Sequence, residues 1–135
     1  MFKALALSAA VVVIGSTFAF AEGDVTKGKK VFRKCKACHM VGEKAKKRVG
    51  PILNNIMGRA AGTSEGFKYS KAMIAAGTDG LEWSNGPLVW NDETMTMYLK
   101  SPKKSIPKNK MAFAGLKKDA DIVNVLAYLK TFSTE

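Results

Sequence analysis

The sequence predicts an all-α fold, a small domain of several helices joined by loops. Three observations carry that reading. Apolar residues recur at helical spacing, most plainly Ile122, Val125, Leu126 and Leu129 at i, i+3, i+4 and i+7. No stretch alternates apolar and polar residues as a half-buried strand does. Glycine, proline and asparagine punctuate the chain between the periodic segments.

Residues 1–21 read as a secretory leader. Lys3 supplies the positive start, Ala4 through Ile14 is mostly apolar, and Ala19-Phe20-Ala21 is an A-x-A cleavage site. The alternative is an uncleaved membrane anchor, for which the apolar run is marginal in length. Cleavage after Ala21 would leave residues 22–135 as one domain. Asp24 caps a first helix running to about Cys38, with Val25, Gly28, Phe32 and Cys35 on one face. Gly28 on that face would admit a second helix at close range. Pro51 to Met57 predicts a short helix ended by Gly58, and Ser70 to Ala76 another, capped by Ser70 and closed by Gly77. Gly77 to Trp90 is rich in turn residues, including Gly80, Asn85-Gly86 and Pro87. Asn91 caps the next helix, whose positive end suits Asp92 and Glu93, and Pro102 stops it. The lysine-rich stretch from Lys103 to Lys110 reads as a loop. Asp119 or Asp121 opens the last helix.

Chemistry concentrates in Cys35-Lys36-Ala37-Cys38-His39, which holds both cysteines and the single histidine of the chain. C-x-x-C-H is the attachment signature of a c-type haem. The thiols add across the haem vinyl groups and the adjacent imidazole ligates the iron. One motif permits one haem, and the second axial ligand must be something other than histidine. A thiol–disulfide pair would favour a βαβ context that the chain lacks. A structural zinc site would need a fourth protein ligand, and no further Cys or His is present to supply it. Export fits the motif, because bacterial attachment of this kind is completed outside the cytoplasm.

The formal charge is +11, or +10 once Lys3 has left with the leader. So basic a balance predicts an acidic partner surface. Export disfavours nucleic acid, and aromatic residues do not interleave with the lysines as a single-strand groove requires. Beyond the leader, the methionines available as a second ligand are Met40, Met57, Met73, Met95, Met97 and Met111. Met40 is tied to the histidine side. Met57, Met73, Met95 and Met97 fall on predicted helices, where methionine usually fills core. Met111 sits on a loop, where a thioether can turn to the iron. Spacing alone makes it a candidate without deciding it.

The chain resembles class I c-type cytochromes of the cytochrome c2 and mitochondrial cytochrome c branch. The likeness spans nearly all of residues 24–132. It is carried by Gly28, Phe32, Cys35-x-x-Cys38-His39, Gly50-Pro51, Gly58-Arg59, Gly66-Phe67-x-Tyr69-Ser70 and Trp90-x-x-Glu93-Thr94. It continues through Tyr98-Leu99, Ser101-Pro102-Lys103-Lys104, Ile106-Pro107, Lys110-Met111-x-Phe113-Ala114-Gly115-Leu116 and Ala127-Tyr128-Leu129-Lys130. The resemblance implies a small cytochrome c fold, helices and loops wrapped around one covalently bound haem c. It implies Cys35 and Cys38 as the covalent attachment and His39 and Met111 as axial ligands. Pro51 would accept a hydrogen bond from the axial histidine, which fixes ring orientation and basicity. Arg59, Tyr69 and Trp90 would satisfy the haem propionates, while Tyr98 and Phe113 would line the haem pocket. Phe32, Gly28, Val125 and Tyr128 would form the contact of first and last helices. Three positions depart from mitochondrial relatives: Lys108 replaces a common glycine, Asn109 a hydroxyl residue near a propionate, and Met73 a polar residue. The Gly77–Trp90 segment is also longer.

The function that follows is not enzymatic. The resemblance implies periplasmic electron transfer by a monomeric carrier between a quinol-oxidising complex of the cytochrome bc1 kind and a terminal oxidase or photosynthetic reaction centre. Lys34, Lys36, Lys103, Lys104, Lys108, Lys110 and Lys117 would ring the haem edge and meet acidic docking surfaces. No stable membrane insertion is expected. A haem enzyme or sensor with a labile sixth ligand is the alternative, and a haem-free thiol or metal protein a third.

Overall fold

The computed structural model describes residues 22–134; the leader and cleavage site expected from the sequence lie outside the described residues. Five α-helices are formed there: α1 (Val25–Val31), α2 (Lys71–Thr78), α3 (Asp92–Lys100), α4 (Pro102–Ser105) and α5 (Asp119–Lys130). Extended backbone meets only in two isolated antiparallel bridges, Ala60–Val89 and Leu81–Gly86, among the described residues. None of the helices is long and apolar enough to cross a membrane.

The frame is the crossing of α1 and α5. Gly28 makes it possible, since a Cβ there would lie 1.9 Å from the carbonyl oxygen of Asn124. Phe32 and Tyr128 meet beside it with ring centroids 5.4 Å apart. The Asp24 side chain accepts from the N–H of Lys27 at 2.9 Å, and the Asp24 N–H donates to Asn124 Oδ1 at 2.8 Å. One residue therefore caps α1 and ties its start to α5. Ile122, Val125, Leu126 and Leu129 are all buried, as the apolar stripe predicted. α3 packs on α5 as well, and Lys130 pairs with Asp92 across them at 2.7 Å.

Several predicted elements come out differently. α1 ends at Val31 rather than near Cys38, because the chain tightens into a 3-10 turn over Phe32–Lys34. No helix forms over Pro51 to Met57. Asn55 takes a left-handed φ of 56°, and the N–H of Leu53 is spent on the Met40 carbonyl at 3.1 Å. α2 is capped by Ser70, whose Oγ accepts from Met73 N–H at 3.1 Å, but it runs past Gly77 to Thr78. Gly77 serves packing instead: a Cβ there would lie 1.9 Å from the Ala61 carbonyl oxygen. Asn91 and Thr94 form a reciprocal capping box on α3, each side chain accepting from the other's backbone N–H at 2.9 Å. Pro102 ends α3 and then occupies the first turn of α4, so the Lys103–Lys110 stretch is partly helical. Lys118 stands at the start of α5 without a side-chain cap, and Asp119 is its first residue.

Candidate haem site

The attachment motif follows directly from the 3-10 turn. The N–H of Cys35 bonds to the Phe32 carbonyl at 2.8 Å, and the N–H groups of Cys38 and His39 bond to the Cys35 carbonyl at 3.1 and 2.9 Å. This winding keeps the two thiols on successive turns, both free and half-buried. Burial pushes the Cys35 thiol up to about 11, against the opposing pull of Lys34. It is a protonated thiol near neutral pH, unlike the low-pKa nucleophile of a disulfide exchanger.

The imidazole of His39 is held from behind. Its Nδ1 lies 2.8 Å from the Pro51 carbonyl oxygen. With that oxygen as acceptor, Nδ1 carries the proton and Nε2 keeps its lone pair for a metal. Gly50 lets the backbone pass the ring face, since a Cβ there would come within 2.5 Å of Cε1. Gly50 is itself pinned by its N–H to the Cys38 carbonyl at 2.8 Å. Burial holds the imidazole below its ordinary value of 6.5, although the Pro51 bond pulls the other way. Asn54, which no motif announced, locks the following loop to this wall by a reciprocal pair of 2.9 Å bonds with Gly42.

A second group gathers around Met111. The hydroxyl of Tyr98, on α3, donates to Met111 Sδ at 3.4 Å. Burial pushes that hydroxyl well above the usual tyrosine range, so it remains a donor. The Tyr98 ring packs on Trp90 with centroids 5.0 Å apart. Trp90 is buried, and its backbone N–H donates to the Arg59 carbonyl at 3.0 Å. A single path of contacts thus runs Arg59–Trp90–Tyr98–Met111. Phe113 packs half-buried against the same core. Tyr69 lies apart from this path. Its hydroxyl accepts from Ser64 N–H at 3.1 Å, and its ring sits edge-on to Phe67.

Asn109 braces the methionine loop. Its Oδ1 accepts from Met111 N–H at 2.7 Å, and its Nδ2 donates to the carbonyls of Pro102 and Ile106 at 2.9 and 2.7 Å. Lys108 takes a φ of 66°, which explains why glycine suits that position elsewhere. Of the remaining methionines, Met73 and Met95 are buried core, whereas Met97 is 40 % exposed and Met57 lies off any helix.

The residues present fit a haem. One group offers a preoriented imidazole beside two thiols, and a second offers a thioether steered by a hydroxyl. Arg59 supplies a further sign. Its terminal nitrogens donate to the Asn54 and Ile52 carbonyls at 3.2 and 3.4 Å, but its buried Nε has no partner among the described residues. A propionate would answer that orphaned donor.

The seven lysines singled out in the sequence are all exposed. Three are engaged: Lys110 Nζ donates to the Lys68 carbonyl at 2.9 Å, Lys117 Nζ to the Ala114 carbonyl at 3.4 Å, and Lys34 lies 4.0 Å from Asp121.

The Cytochrome c family model matches residues 25–133. A cytochrome c2 of Afifella marina is 56% identical over 114 residues, covering 84% of this chain and 86% of that protein. A cytochrome c-550 of Nitrobacter winogradskyi is 42% identical over 113 residues, covering 84% and 94%. Among solved structures, cytochrome c2 from Rhodospirillum centenum matches with a TM-score of 0.73 at 39% identity, over 83% of this chain and 100% of that one. The motif, the two groups of side chains and these relatives agree, and the chain belongs to the cytochrome c family, as a class I c-type cytochrome of the cytochrome c2 branch with one covalently bound haem c.

Proposed function

We infer that the protein is an exported, soluble one-electron carrier in which Cys35 and Cys38 hold the haem and His39 and Met111 close the iron's coordination. The observation that carries this reading is the matched pair of supports, Pro51 behind His39 Nδ1 and Tyr98 beside Met111 Sδ. Haem c, when bound, supplies an Fe(III)/Fe(II) couple that exchanges one electron with little rearrangement if both axial positions are filled. The chain's own residues hold that condition. Pro51 and Gly50 fix the imidazole plane, and Asn109 and Tyr98 fix the thioether. Arg59, Tyr69 and Trp90 are the propionate side of the site, and Phe113 closes the pocket.

The basic surface fits acidic docking sites on a donor such as the cytochrome bc1 complex and on a terminal acceptor, an oxidase or photosynthetic reaction centre. The carrier works as a monomer in the periplasm once the leader is removed after Ala21. The mass of the exported holoprotein tests that cleavage.

Visible spectra test the coordination. The oxidised holoprotein should show a low-spin haem with a sulfur–iron charge-transfer band, and the reduced form should ignore carbon monoxide. A high-spin spectrum or ready carbon monoxide binding would reveal an open iron and an enzyme or sensor. Met111→Leu should abolish the band and open the reduced iron to carbon monoxide.

A further inference from the structure

The geometry points to Trp83 as a positioning residue for Met111, acting from the turn-rich segment between α2 and α3. The inference rests on the reading of Met111 as an axial ligand. Trp83 is half-buried, and its indole Nε1–H donates to the Ser105 carbonyl at 3.0 Å, across 22 residues of sequence. Ser105 ends α4. Its hydroxyl in turn donates to the Met97 carbonyl on α3 at 2.9 Å. Just beyond it, the Asn109 amide bonds back to the carbonyls of Pro102 and Ile106 and receives the Met111 N–H. α4 and the methionine loop are therefore one hydrogen-bonded unit, and Trp83 grips that unit from a different part of the chain.

The segment that carries Trp83 is firm enough to act as a brace. Leu88 is fully buried, and its N–H donates to the Ala76 carbonyl at 2.8 Å. Ser84 Oγ accepts from Leu81 N–H at 2.7 Å and donates to the Gly86 carbonyl at 2.6 Å. Gly80, at φ 87°, lets the turn close against Gly86, whose carbonyl a Cβ would otherwise meet at 2.1 Å. A swing of α4 and its loop away from α3 would carry Met111 Sδ off Tyr98. The Trp83 bond opposes that swing. A partly buried hydrogen bond of this kind is worth about a threefold to tenfold change in how often the loop opens.

The test is displacement of the thioether by added imidazole in the oxidised holoprotein, read as loss of the sulfur–iron band. Trp83→Phe keeps the ring and removes the donor, and imidazole should bind about threefold to tenfold more tightly. Val125→Ala, in the buried face of α5, should lower resistance to denaturant while leaving imidazole affinity within about twofold of the parent. Unchanged affinity in Trp83→Phe, or an equal rise in Val125→Ala, overturns the proposal. Hydrogen exchange in the parent holoprotein gives a check that needs no variant. The Trp83 indole and the Met111 amide should show the same protection, because one opening releases both. An indole that exchanges far more freely than that amide means the brace opens alone, and the idea fails. A parent without the sulfur–iron band would instead sink the axial reading of Met111, and the exchange comparison would still decide whether Trp83 holds the loop.

Discussion

At the scale of single residues, the proposed site would work by holding two donor atoms from behind. Tyr98 is the sharper case, since its hydroxyl touches the sulfur itself. A hydrogen bond to the thioether draws electron density from the sulfur and favours Fe(II). Tyr98→Phe keeps the ring against Trp90 and removes that bond, so the reduction potential should fall. With a hydrogen bond worth ~1 kcal/mol, the fall is at most ~40 mV for one electron, and redox titration reads it. An unchanged or raised potential would show that the hydroxyl does not act on the sulfur. His39 gives a pH dependence with a definite sign. Burial holds its folded value below 6.5, and an iron held at Nε2 would act in the same direction, so the unfolded chain takes up the proton first. The stability it contributes is present above pH 6.5 and is lost as pH falls from there through the folded value. The unfolding free energy should therefore drop on acidification, by up to ~1.4 kcal/mol per pH unit from this one group, and denaturant midpoints should drop with it. Midpoints that stay level from pH 7 to 5 would mean the imidazole titrates alike in both states.

At the scale of elements, the outcome at Gly28 is decided by which of two effects is larger. Alanine is a better helix former than glycine by roughly 0.5–1 kcal/mol. Against that, the new methyl would sit 1.9 Å from a backbone carbonyl, which cannot rotate aside. Forcing the helices apart costs about 1–3 kcal/mol or more. Gly28→Ala should thus destabilise the holoprotein despite the propensity gain, and thermal unfolding would show it; a raised midpoint would mean α1 and α5 can separate freely. This crossing was legible in the sequence because a glycine within an apolar stripe has a physical meaning there. The capping residues Ser70 and Asn91 were legible for the same reason: short polar side chains before a periodic run have one economical use. The segment after Pro51 was not. Its composition permits a helix, but its backbone groups are taken by His39 and Met40, and Asn54 reaches to Gly42. Those partners lie a dozen residues away, and local patterning carries no trace of them. Asn109 shows the same limit inside the site. The sequence marked it as a departure near a propionate, whereas the structure uses its amide to bind three backbone groups of α4 and the methionine loop.

At the scale of the whole molecule, the surplus of positive charge sets how the carrier meets its partners. The charge is spread widely, with lysines on α1 as well as around α4 and the methionine loop. Net charge alone steers any acidic partner, and such steering weakens as salt shortens the screening length to about 10 Å at 0.1 M. A localised docking face adds something that net charge does not. Lys103 and Lys104 sit on α4, directly beside the loop that presents Met111. Lys29 and Lys30 sit in the last turn of α1 and are equally exposed. Replacing either pair with glutamate changes the net charge by the same amount, so the two double variants separate location from total charge. With an acidic redox partner at low salt, K103E/K104E should slow bimolecular electron transfer far more than K29E/K30E, by tenfold or more given ~1 kcal/mol per lost close charge pair and further repulsion. Stopped-flow rates measured against ionic strength read both effects. The difference between the variants should shrink as salt rises and vanish once the charges are screened. Equal slowing in the two variants would show that total charge does the steering and that α4 is not the docking edge.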